Sequence, residues 1–218
     1  LGTAPKKRQP IPWKLILSSR QMWTVAAMYF CYGYSLNMFL AWYPKYLNAE
    51  RGYDLAQMGL FTSLTLAAAV VGDILGGVIS DYIIHKSGRI KFARQSVAIT
   101  GFVIAAIFIP LGVHMDGPYL TAAMFGLGVF GLELVVGNAW AVTLDIGGSF
   151  AGSCSAVMNT LGNVGGAIVT TVTGFIVAAY GWSAAFYVVT AFCVAGALLF
   201  TQIDAGRKLA ADATSPVT

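Results

Sequence analysis

Two carboxylates in this 218-residue chain stand where apolar sequence surrounds them. Glu133 lies between Gly-Leu and Leu-Val-Val, and Asp73 between Val-Val-Gly and Ile-Leu-Gly-Gly. An ionised side chain at the centre of a bilayer costs about 2.5–3.5 kcal/mol on insertion scales, so it faces a packed interior or a wet cavity. There it is protonated, paired or hydrated. A carboxyl group that changes between those conditions during a cycle carries a proton, which makes Glu133 and Asp73 candidates for proton coupling. A neutral, hydrogen-bonded packing role is the alternative for each.

Two polar stripes recur at helical spacing. Phe30, Tyr34 and Asn37 fall at i, i+4 and i+7, so one helix face carries all three. Ser155, Asn159 and Asn163 recur every four residues. Amide and hydroxyl groups donate to and accept from polar ligand groups, and aromatic carbon packs on apolar ring faces, so these six residues are candidates for substrate contact. Interhelical hydrogen bonding, common in membrane bundles, is the other use of such stripes. Cys31, Cys154 and Cys193 have neither chelating nor redox spacing and read as small packing residues; no metal and no cofactor is expected.

The elements that position these groups follow from composition. Hydrophobic residues make up 57% of the chain and charged ones 10%, against about a quarter charged in a soluble domain. Six apolar segments of bilayer-spanning length fall near 22–42, 58–80, 97–113, 119–141, 153–179 and 184–201, the fifth as one tilted helix. Small residues at helical spacing, Gly72, Gly76 and Ser80, then Gly162 and Gly166, mark faces for close helix approach. Lys6, Lys7, Arg8, Lys14, Arg20, Lys86, Arg89, Lys91, Arg94, Arg207 and Lys208 fall on one side of the alternating segments, and only Lys45 and Arg51 on the other. The positive-inside rule then makes both ends of the chain and the 81–94 loop cytoplasmic. The net charge of +4 is distributed between apolar runs, which argues against a nucleic-acid partner. Residues 1–20 read as a basic cytoplasmic linker, 21–203 as a six-helix bundle and 204–218 as a cytoplasmic tail, disordered beyond Lys208. His85 and His114 read as solvated loop residues.

The loop after the second segment runs Gly76-Gly77-Val78-Ile79-Ser80-Asp81-Tyr82 and then His85-Lys86-Ser87-Gly88-Arg89-Ile90-Lys91. It resembles the loop signature of the major facilitator superfamily, a small residue, an acidic residue and a basic cluster around Gly-Arg. Tyr82 replaces the usual basic residue, and the longer spacing looks like the anion:cation symporter family. Trp13 to Arg20, Trp42-Tyr43-Pro44-Lys45-Tyr46-Leu47, Asp145-Ile146, Met158 to Gly166 and Gly181-Trp182 extend the resemblance along most of the chain. It implies an all-α membrane protein, here the C-terminal six helices of a twelve-helix fold with a midplane cavity between its halves. The absence of an initiator Met and the basic start favour a fragment of a longer polypeptide over a half-size protein that dimerises.

The expected function is secondary active transport of a small organic anion, such as a hexonate or hexuronate, by alternating access with H+. The expected place is the plasma (inner) membrane, and the chain is not expected to be an enzyme. Asp81, with Gly88 and Arg89, would form the gating loop, Asp81 at a helix end and within reach of Arg89. No Arg or Lys lies deep in any segment, so the main cationic partner of an anion belongs to the N-terminal half. An uncoupled facilitator and a transporter-like receptor or scaffold are the alternatives.

Overall fold

Long apolar stretches punctuated by Gly, Pro and short polar turns satisfy their backbone groups only as helices once water is excluded. The computed structural model describes residues 10–209, and the regular elements among them are all helical. They are α1 (Trp13–Ser18), α2 (Arg20–Ala41), α3 (Tyr43–Ala49), α4 (Leu55–Ser87), α5 (Ile90–His114), α6 (Pro118–Gly147), a 3-10 turn (Gly148–Phe150) and α7 (Ala151–Thr201). Gly181, at φ 80 and ψ 175, breaks α7 into two arms, because an L side chain rarely adopts that backbone conformation. Six spanning rods result: α2, α4, α5, α6 and the two arms.

α4, α5 and the stretch Pro118–Thr201 are long and apolar enough to cross a membrane. α2 is more polar, carrying Tyr29, Tyr32, Tyr34, Ser35 and Asn37, and more than half of its 22 residues are buried against other helices. A helix so enclosed meets little lipid, so its polar groups are answered by protein. It packs chiefly on α7, while α6 lies against both α4 and α5.

Lipid tails are as apolar as leucine, so these contacts depend on close van der Waals approach and interhelical hydrogen bonds. α2 and α7 cross where Gly33 meets Gly162; a methyl on Gly33 would lie 2.8 Å from the Gly162 carbonyl carbon. The buried residues of α4 are Phe61, Thr65, Gly72, Gly76 and Ser80, so the small-residue face predicted there is the one that packs. The rest of α4 is open, with Val70, Ile74 and Val78 each at least 60% exposed.

Helix ends differ from the sequence expectation in three places. Asp81 is not at a helix end: α4 continues to Ser87 and stops at Gly88, whose φ of 68 supplies the left-handed cap. The stretch after Trp42 contains α3, and the expected linker contains α1; residues 1–9 lie outside the described residues. Residues 202–209 turn back onto the bundle: Gln95 Nε2 donates to the carbonyls of Thr201 (2.9 Å) and Ile203 (2.8 Å), and the Leu209 N–H to the Ile146 carbonyl (2.9 Å). The tail expected to be disordered beyond that point lies outside the described residues.

Candidate functional site

Glu133 sits midway along α6, facing the middle of α2. The Tyr32 hydroxyl donates to its carboxylate, 3.3 Å from Oε1 and 3.4 Å from Oε2. Asp73 approaches from α4; a methyl on Gly137, one turn beyond Glu133, would lie 3.9 Å from its Oδ1. Beneath them Tyr29 stacks on Tyr32 with ring centroids 5.0 Å apart, and Trp140 Nε1 donates to Tyr29 Oη at 3.0 Å. α2, α4 and α6 thus meet in one acid and aromatic cluster at half-height, with Glu133 half-buried and Asp73 exposed. Such a cluster can hold or release a proton, or receive a cation.

The face of α2 bearing Phe30, Tyr34 and Asn37 lies against α7. Tyr34 is 2% exposed, its ring centroid 4.2 Å from that of Phe192, and Phe30 meets the same ring at 5.9 Å. Asn37 Nδ2 donates to the Gly33 carbonyl at 2.8 Å, and its amide rests on Gly166. Along the first arm of α7, Ser155 is buried and hydrogen-bonded to Thr143 of α6 at 2.7 Å, an interhelical pin. Asn159 is half-buried and Asn163 exposed, the latter donating to the Asn159 carbonyl at 2.9 Å. Phe30, Asn37, Asn159 and Asn163 therefore keep some open surface, and Tyr34 and Ser155 have almost none.

At the basic end, the ion pair of Asp81 differs from the one expected. Arg94, three residues before the apolar core of α5 begins, takes Asp81 through Nη1 at 3.0 Å, Ser80 Oγ at 2.9 Å and Asp145 through Nε at 3.4 Å. Arg89 forms no ion pair among the described residues. Its position at the start of α5, just past the Gly88 cap, leaves it exposed, whereas Arg94 is one turn deeper and its side chain is 12% exposed. The clamp joins α4, α5 and α6.

The opposite end is closed by aromatic packing. Phe39, Tyr43, Tyr46, Phe125, Trp182 and Phe186 form a continuous set of ring contacts. Arg51 Nε donates to Tyr46 Oη (2.7 Å) and Nη2 to the Val113 carbonyl (2.7 Å), satisfying the last turn of α5. His114 is exposed, as expected, but it is the last residue of α5 and not a loop residue, and its Nε2 is 2.6 Å from Tyr187 Oη.

Residues 2–170 match the model of the Major Facilitator Superfamily. The chain belongs to that superfamily. Among its relatives, a probable sulfoacetate transporter of Cupriavidus necator is 39% identical over 166 residues, 76% of this chain and 38% of that protein. The hexuronate transporter of Bacillus subtilis is 30% identical, over 99% of this chain and 52% of its own length. The D-galactonate transporter of Escherichia coli is 30% identical over 91% of this chain and 47% of its own length. The chain thus spans about half the length of these relatives or less. A solved bacterial homologue of the human drug peptide transporters superposes with a TM-score of 0.69 at 19% identity, covering 84% of this chain and 41% of that one, a likeness of fold alone. The six rods are one half of the twelve-helix major facilitator fold.

Within this facilitator half, sequence reasoning passed over Tyr29, Tyr32, Trp140 and Arg94 as functional groups. The tyrosines carried a usable signal: a phenol or indole in mid-span needs a polar partner. Arg94 carried another, being the last basic residue before an apolar run.

Proposed function

We propose that this chain is the C-terminal half of a secondary active transporter that moves a small organic anion by alternating access, coupled to H+. The single observation that carries the reading is the Tyr32-held Glu133 carboxylate beside Asp73 at half-height, in a chain whose relatives bear the names of sulfoacetate, hexuronate and galactonate transporters. All three named substrates are carboxylates. A sugar acid such as a hexonate or hexuronate fits the amide-rich open surface. A short sulfonated carboxylate is the second reading, favoured by the 39% identity to the sulfoacetate relative.

In this reading Phe30, Asn37, Asn159 and Asn163 contact the anion, while Tyr34 and Ser155 hold their helices in register. The cationic partner of the substrate belongs to the N-terminal six helices. Glu133, with Asp73, carries the proton: two neighbouring carboxylates repel when both are ionised, and binding one proton relieves this. Tyr32 donates to the ionised form and so fixes where the charge resides. At the basic end the Arg94 clamp, with Asp81, holds one state of the gate, Gly88 sets the turn that follows, and Arg89 contributes charge to the cytoplasmic face. Both ends of the chain lie in the cytoplasm and the protein in the plasma (inner) membrane.

Glu133→Gln keeps size and hydrogen-bonding capacity while deleting titration. In proteoliposomes holding the full-length transporter, the variant should exchange substrate across the membrane at near wild-type rate but lose accumulation driven by a proton gradient. Intact gradient-driven accumulation with an unchanged pH profile would overturn the coupling role. Equilibration of substrate with no accumulation under a proton gradient in the wild type would favour an uncoupled facilitator, and binding without flux a receptor.

A further inference from the structure

Where residues 202–209 fold back under the bundle, they enclose two adjoining cavities of about 330 Å³ each. Arg20, Gln21 and Arg207 line both; Lys208 and Ser19 belong to the first, and Lys91 with Asp204 to the second. The walls are fixed by the chain itself. Gln21 Nε2 donates to the Asp204 carbonyl at 2.5 Å, the Leu209 N–H reaches Ile146, and Ile203 and Ala205 are buried.

The charge there is one-sided. Asp204, the carboxylate of the site, is paired with Lys91 at 3.1 Å. Arg20, Arg207 and Lys208 have no ion pair among the described residues, so three cations converge without a counter-charge there. Guanidinium groups match phosphate oxygens in geometry as well as charge.

The start of α2 and the helix before it also carry apolar surface. Trp13, Leu17 and Trp23 are 46–48% exposed, and Trp23 Nε1 donates to the Leu17 carbonyl at 2.7 Å, which ties α1 to the first turn of α2. A basic pocket at the same end of a spanning helix as exposed tryptophan and leucine is the pattern that accepts a headgroup and its chains together.

We infer that the cleft between the first turn of α2 and residues 204–209 binds the phosphate headgroup of an anionic phospholipid. Arg20 and Arg207 hold the phosphate, and the acyl chains lie along Trp13, Leu17 and Trp23. Free phosphate offers the same oxygens but leaves the exposed apolar residues unused.

The test is a titration of the full-length transporter in detergent with phosphatidylglycerol, phosphatidylcholine or glycerol phosphate, read as bound lipid by native mass spectrometry and as a melting shift. Phosphatidylglycerol should bind in preference to phosphatidylcholine. Arg20→Gln with Arg207→Gln should weaken it roughly 10–30-fold, since each basic residue near an anionic surface contributes about a factor of five. Arg89→Gln, outside these cavities, should leave it unchanged. Arg207→Gln alone, in a segment beyond the helices, gives the same reading at smaller amplitude if the double variant does not fold. Equal phosphatidylglycerol binding by variant and wild type, or equal binding of both lipids, overturns the site. An equal melting shift from glycerol phosphate overturns the assignment to a lipid.

Discussion

Arg94 and Glu133 illustrate how partners, more than positions, decide what a charged residue does. Arg94 has two carboxylates of different exposure, Asp145 at 26% and Asp81 at 71% for their side chains. Solvent screens the exposed pair, so Asp81→Asn should cost about 0–1 kcal/mol. Arg94→Gln removes both pairs and the bond to Ser80, and should cost about 2–3 kcal/mol, while Arg89→Gln stays within about 0.5 kcal/mol. Melting of the three variants in one detergent gives the order directly. An Arg89→Gln variant as damaged as Arg94→Gln would remove the clamp from the account. The clamp was half legible: Asp81 stood out by its family-like loop, but its partner is 13 residues away and in another helix.

At the scale of elements, the α2 and α7 crossing sets how the half is built. Gly162 faces the Tyr29 ring so closely that a methyl there would lie 2.5 Å from its Cδ1. Gly162→Ala must push the ring or part the helices, a strain of about 1–3 kcal/mol. Because Tyr29 also receives the Trp140 hydrogen bond, the displacement reaches the Glu133 cluster. The expected outcome is a lower melting temperature together with reduced transport, whereas Gly152→Ala, with open space at its position, should leave both unchanged. The spacing of Gly162 and Gly166 marked a close face, yet spacing names neither the partner helix nor the residue opposite. The break at Gly181 was legible as the gap between the fifth and sixth apolar segments. The extension of α4 to Ser87 was not, because polar residues end an apolar run before they end a helix.

For the whole molecule, basic residues gather at one end of the rods and aromatic packing closes the other. Orientation follows if the positive-inside bias is obeyed, and single-cysteine labelling tests it. Gly117 is a poor position, since its φ of 87 strains any side chain; the exposed neighbour Asp116 and the exposed His85 avoid that. Asp116→Cys should react with an impermeant thiol reagent from outside intact cells, and His85→Cys only after permeabilisation. The three cysteines of this chain are buried, which keeps its own contribution to the background low. The reverse pattern would invert the proposed topology. The bare faces of α4 belong to the same scale: a helix with a single narrow buried stripe is complete only against lipid or further protein.

The sequence by itself determined the six rods, their alternation and the family, because hydropathy, glycine spacing and loop charge are local properties that a linear reading retains. It also pointed to Glu133 and Asp73, because a charge in an apolar run is anomalous wherever the run folds. Only the tertiary structure decided that Tyr32 serves Glu133, that Arg94 rather than Arg89 holds Asp81, and that Tyr34 and Ser155 turn into helix contacts while Asn163 stays open. Each of those depends on which face of one helix meets which face of another. That choice is made by close packing between residues more than a hundred positions apart, such as Tyr34 and Phe192, and no periodicity within one segment encodes it.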